Sequence, residues 1–133
     1  MTLKDELYTV VHREDTHYTI RMNPDSVIYA AHFPGHPITP GVCIVQIVEE
    51  LTADALQQPL DISEMQSVKF ISVLTPDNGT AVDCTLDITD TEDTIAADPE
   101  DDTIKVKATL RTADTTIAKL TLLCTPRQTC TPK

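Results

Sequence analysis

Between Thr39 and about Gln58 the sequence carries its one convincing helical segment, and nearly everything after it reads as strand. Thr39 reads as the N-cap and Pro40 as the first helical residue, where its missing N–H costs nothing. Pro59 ends the segment. Its apolar residues (Val42, Ile44, Val45, Ile47, Val48, Leu51, Ala53, Ala55, Leu56) do not keep to a narrow stripe, so at least the first half should be buried on several sides. Downstream, residues 66–74, 81–89, 103–112 and 115–124 are β-rich, with alternation clearest in Val82-Asp83-Cys84-Thr85-Leu86-Asp87-Ile88. Upstream, residues 7–12 and 16–22 read as a hairpin or two short strands separated by Arg13-Glu14-Asp15, and residues 26–31 as a short extended piece. Consecutive strands with no helix between them imply an antiparallel sheet. The expectation is an α+β fold in which one sheet wraps one long helix.

A chain of 133 residues is long enough to bury most of its apolar surface but too short for two cores, so residues 1–133 read as a single domain. The net charge of −11 argues against nucleic acid or an anionic membrane as partner, since both require a basic face. An anionic ligand would have to dock on a local patch, for which Lys69, Arg111 and Lys119 are candidates. No segment approaches the ~20 apolar residues of a membrane span, and the charged N-terminus does not read as a signal peptide, so a cytoplasmic location is expected. Cys43, Cys84, Cys124 and Cys130 show neither CxxC nor His-flanked spacing and read as packed thiols rather than metal ligands or a disulfide framework.

Residues 87–102 hold eight acidic residues and Pro99, and read as a long solvated connection between strands. Without a glycine they do not match a calcium loop. Residues 125–133 read as a frayed tail.

The chemistry concentrates in His32-Phe33-Pro34-Gly35-His36-Pro37-Ile38-Thr39-Pro40-Gly41-Val42, which contains two of the three glycines, three of the nine prolines and two of the four histidines. Prolines every third residue stiffen a loop, and glycine permits close approach. The loop runs into a helix N-terminus whose backbone N–H groups can receive an oxyanion. A histidine on that loop, with an ordinary pKa of ~6.5, is suited to general base work. Each element alone has a bland reading as a surface histidine or a stiff helix start, but the combined string is far more specific.

HFPGHPITPGV resembles the HFPGxPxxPGV motif of the β-hydroxyacyl-ACP dehydratases. Val68-Lys69-Phe70 with Thr75-Pro76-Asp77 resembles the strand and turn of the same family. The resemblance implies a hot-dog fold, a curved antiparallel sheet around one central helix. It also implies dimers through edge strands, active sites at the dimer interface, and elimination of water from a (3R)-3-hydroxyacyl thioester on ACP or CoA, with no cofactor or metal. Carried over, His32 takes the place of the catalytic histidine and Gly41 that of the glycine whose N–H binds the thioester carbonyl. Phe33, Pro40 and Val42 are the flanking substrate-binding positions.

The family's second catalytic residue, an acid on the helix contributed by the partner subunit, falls on Gln46. Glutamine can orient a hydroxyl but cannot deliver a proton. Three readings follow: His32 performs both proton transfers while Gln46 positions the hydroxyl; Glu49 or Glu50, near Gln46 on the helix, supplies the acid; or the chain is a non-catalytic, dehydratase-like partner subunit. Thioester hydrolysis on the same fold is a further alternative. His36 reads as a loop-rim residue, and His12 and His17 as strand residues.

Overall fold

The computed structural model describes residues 3–31, 38–76, 81–90 and 103–126. The chain runs β1 (Tyr8–Glu14), β2 (His17–Met22), α1 (Val27–Ala31), α2 (Gly41–Leu56), β3 (Leu60–Phe70), β4 (Ala81–Asp90), β5 (Ile104–Arg111) and β6 (Thr116–Pro126). The strands form one six-stranded antiparallel sheet in the order β1-β2-β4-β5-β6-β3, and α2 lies on one face of it. This is the α+β architecture expected.

Period-two alternation builds the sheet's inner face. In β5, Ile104, Val106, Ala108 and Leu110 are buried, and in β6 Ala118, Leu120, Leu122 and Cys124 answer them. Tyr18, Ile20, Val82, Cys84 and Leu86 continue the layer through β2 and β4. Onto it α2 lays Cys43, Ile44, Ile47, Val48, Leu51 and Thr52. Burial of α2 is therefore more one-sided than its composition suggests: Val42 is 75 % exposed and Val45 only partly covered.

Several local readings need correction. Residues 27–31 form a short helix, not an extended piece. Ser26 is buried, its backbone carbonyl accepts from the Tyr29 N–H at 3.1 Å, and its hydroxyl accepts from the Ile28 N–H at 3.3 Å, so the serine opens a helical turn. The β1–β2 hairpin turns on Asp15 and Thr16, with Asp15 at φ 54, while Arg13 and Glu14 are still paired with Tyr18 and His17. Strand β3 begins at Leu60, six residues ahead of the expected start; residues 61 and 63–67 are all exposed, which hides the alternation. Residues 87–90 belong to β4 and 125–126 to β6; the rest of the acidic stretch and of the tail lie outside the described residues.

The start of α2 also differs. Pro40, at φ −60 and ψ 144, is itself the N-cap and makes no side-chain cap, with Gly41 the first helical residue. The Thr39 hydroxyl is engaged elsewhere, 2.7 Å from Tyr29 Oη in a buried pair, and the Thr39 N–H donates to the Leu74 carbonyl at 2.8 Å. Thr39 thus ties the helix entry to α1 and to the segment after β3. At the other end Gln57 adopts φ 54, and the Gln58 N–H reaches back to the Ala53 carbonyl at 3.1 Å, closing the last turn before Pro59.

Candidate active site

The Pro40 carbonyl accepts from the N–H groups of Cys43 and Ile44 at 3.0 and 3.2 Å, so the helix's own ladder begins there. The Gly41 and Val42 N–H groups precede that ladder, as the first donors of a helix do. Gly41 borders a cavity of about 300 Å³ that is also lined by Ile38, Ile44, Phe70, Ile71 and Leu74. The walls are mostly apolar, and the helix end supplies partial positive charge at one side.

Phe70 lies directly on Gly41. A methyl group at position 41 would stand 2.7 and 2.8 Å from Cζ and Cε2 of the Phe70 ring, closer than carbon atoms approach. A side chain at this position is opposed by contact with the Phe70 ring, which would have to shift, and not by the backbone dihedral. The helix N-terminus is fixed from behind by the Thr39 bonds to Tyr29 and Leu74, both deep in the core. Burial pushes the Tyr29 phenol up, and its bond to Thr39 opposes this. The phenol therefore stays protonated and acts as a strut.

Of the residues singled out in the sequence, His32, Phe33 and His36 lie outside the described residues. Gly41 borders the cavity, while the Val42 side chain points away into solvent. Gln46, Glu49 and Glu50 do not line it. The half-buried Gln46 donates from Nε2 to Glu50 Oε2 at 3.0 Å. A carboxylate only accepts, so this bond sets the orientation of the amide.

Glu50 is heavily committed. Its carboxylate also accepts from the Leu3 N–H at 2.7 Å, the Lys4 N–H at 3.0 Å and the Tyr8 hydroxyl at 2.9 Å. Burial, reinforced by Glu50, pushes the Tyr8 phenol well above its ordinary value. Burial raises the Cys124 thiol to about 11, and the charge of Glu49 adds to that rise.

The reading from sequence missed the cavity walls after β3. Val68-Lys69-Phe70 marked a strand, but nothing local in the chain announces that the Phe70 ring stacks on Gly41. Ile71, Ser72 and Val73 line the same cavity, and the apolar residues on either side of Ser72 were the available signal.

A six-stranded antiparallel sheet packed against one long helix is shared with solved structures of low sequence identity, and the class is the hot-dog fold. A chain of the dehydratase heterocomplex ApeI:P from Xenorhabdus doucetiae superposes with a TM-score of 0.59 at 22% identity, covering 86% of this chain and 96% of that one. An uncharacterised protein from Pyrococcus horikoshii gives 0.64 at 7% identity, over 93% and 85% of the two chains. A hypothetical thioesterase from Streptococcus pneumoniae, solved with coenzyme A, gives 0.55 at 9%, over 92% and 88%. No curated relative matches. The family model of the ApeI-like dehydratases matches residues 9–111, and the chain belongs to that family.

Proposed function

We propose that the protein dehydrates a (3R)-3-hydroxyacyl thioester, carried on ACP or CoA, to the trans-2-enoyl thioester. The observation that carries this reading is the Gly41 helix terminus opening into an apolar cavity in a chain of the ApeI-like dehydratase family. The Gly41 N–H holds the thioester carbonyl, which gains negative charge as His32 removes a proton from C2. The C3–O bond then breaks, the C2–C3 double bond forms, and the imidazolium returns the same proton to the departing hydroxide as water. No oxidant, cofactor or metal takes part.

Gln46, whose amide donates to Glu50, is the helix residue assigned to orient the substrate hydroxyl, a task an amide can perform without delivering a proton. The four hydrogen bonds of Glu50 favour an anchoring role for that residue over proton delivery. Gln46 lies away from the cavity beside Gly41, which fits a site completed across a subunit interface. The edge strand β3 and the segment after it expose Met65, Phe70, Ile71 and Val73, and this apolar strip is the proposed dimer contact.

A second reading has support from Gln46 itself: a chain without the acid serves as a silent subunit beside an active one. The solved neighbour from Xenorhabdus doucetiae is a chain of a heterocomplex. Thioester hydrolysis is the third reading, on the same carbonyl-binding helix end.

Assay of the native chain and His32→Ala on a panel of 3-hydroxyacyl thioesters, following both enoyl product and free thiol, separates the three. Enoyl formation lost in His32→Ala supports dehydration. Thiol release without enoyl product supports hydrolysis. No turnover until a second hot-dog chain is added supports the silent subunit.

A further inference from the structure

The face of the sheet turned away from α2 carries a second constellation. Cross-strand pairing sets Lys69 of β3 opposite Lys119 of β6, and Lys119 opposite Thr109 of β5; in the next row Ser67 faces Thr121, and Thr121 faces Lys107. Directly opposed residues share a face, so three ammonium groups and three hydroxyls form a grid three strands wide and two rows deep. These six residues line one hollow of about 280 Å³. Every side-chain group in the grid can donate a hydrogen bond, and none is a carboxylate. Of the basic residues marked from sequence, Lys69 and Lys119 meet here, whereas Arg111 does not line the hollow.

The arrangement runs against the chain's own charge. With 21 acidic residues and a net charge of −11, carboxylates are abundant, yet among the described residues no ion pair joins these lysines to one. Asp87 of β4, the cross-strand neighbour of Lys107, makes no ion pair with it. Lysines directly opposite each other repel and destabilise the sheet, so this pair, with a third lysine beside it and no ion-paired carboxylate among the described residues, carries a cost that a bound anion would remove.

We propose that Lys69, Lys107 and Lys119, with Ser67, Thr109 and Thr121, form a binding site for a phosphate-ester or diphosphate anion. Flexible ammonium groups match the charge of a phosphate, and hydroxyls at neighbouring positions of the same hollow supply neutral donors to its remaining oxygens. The small concave shape suits such a group better than a broad protein surface. The site does not rest on the dehydratase reading, because it is detected by binding without turnover.

Titration of the full chain with pyrophosphate, followed by backbone amide NMR, is the test. Shifts centred on Ser67, Lys69, Lys107, Thr109, Lys119 and Thr121 are expected, with affinity falling as salt is raised. Lys107→Gln and Lys119→Gln, both at exposed positions, should each weaken binding about tenfold and leave the rest of the spectrum in place. Coenzyme A in a parallel titration identifies the source: tighter binding through the same six residues supports a nucleotide-bearing ligand, and equal binding supports a simple diphosphate. Shifts at Gly41 and Val42 alone, affinity unchanged in both lysine variants, or binding of poly-glutamate but not pyrophosphate would each overturn the proposal.

Discussion

Glu50 shows how much a single side chain settles. By accepting from Leu3, Lys4, Tyr8 and Gln46 it fastens the start of the chain and the first strand to the middle of α2. Glu50→Ala removes the acceptor of all four donors, one of them the N–H of the buried Leu3, and a loss of ~1–3 kcal/mol in urea unfolding is expected. Turnover measured on the fraction that remains folded should fall only moderately, because Gln46 loses the bond that orients its amide but the proton-transferring group stays in place. A complete loss of turnover with stability intact would instead make Glu50 the acid. Gln46→Glu tests the neighbouring position, since it replaces a donated hydrogen bond with a second carboxyl group about 3.0 Å from Glu50. Two carboxylates that close share a proton, so the pair's upper pKa rises in the folded state. That contribution to stability is present at low pH and fades as pH rises through the raised value. The variant should therefore match the native chain near pH 5, be less stable near pH 8, and keep or raise dehydration because the shared proton can be delivered. Denaturant midpoints at the two pH values, with enoyl formation alongside, check both halves.

At the scale of elements, the N-terminus of α2 depends on neighbours from three parts of the chain: Tyr29 in α1, Leu74 after β3, and Phe70 at the end of β3. Gly41→Ala places a methyl group against the Phe70 ring, which is half exposed in the single chain and has to shift to make room. The expected outcome is a modest stability change, of order 1 kcal/mol or less, with a fall in kcat/KM of tenfold or more, because the displaced ring narrows the approach to the helix-end N–H groups. Equal kcat/KM in the two proteins would remove Gly41 from the site. Parts of this region were legible in the sequence: the Pro40-Gly41 entry, the length of α2 and the strand around Val68-Lys69-Phe70 follow from proline geometry and apolar periodicity. The N-cap was misread because Thr39 had two uses for its hydroxyl and the choice depended on Tyr29, a tertiary partner. Helix α1 was misread because five residues are too few to display a helical period. The early part of β3 was misread because an edge strand with exposed side chains lacks the alternation that marks a half-buried one.

For the whole molecule, two properties follow from how the sheet closes over its core. The first is alkaline sensitivity. Burial holds the Cys84 thiol near about 12 and the Cys124 thiol near about 11, against an ordinary value of 9.0. The Tyr8 and Tyr18 phenols are likewise pushed above their ordinary 10.0, first by burial and then by Glu50 and Asp54 respectively. All four keep their protons in the folded chain beyond the pH at which the unfolded chain releases them, so stability is full below about pH 9 and declines as pH rises from there. Urea midpoints from pH 7 to 11 should fall steadily above 9, and a flat profile would contradict the burial of these groups.

The second property is incompleteness. The sheet ends at β3, whose outer edge has no partner strand among the described residues, and the side chains of Met65, Phe70, Ile71 and Val73 along and just beyond it are between 51% and 59% exposed. An exposed apolar edge invites pairing with another chain. If two copies meet there, the cavity beside Gly41 is closed by residues of both, and activity requires the dimer. Met65→Lys places a charge in the middle of β3, where burial against a second copy would cost several kcal/mol, while in a lone chain the same side chain extends into water. Light scattering should give a dimer for the native chain and a monomer for Met65→Lys, with unchanged circular dichroism and loss of dehydration in the monomer. A native monomer would remove the interface. Full turnover in a monomeric Met65→Lys would show that one chain holds a complete site, and the role of Gln46 would then have to be sought within its own subunit.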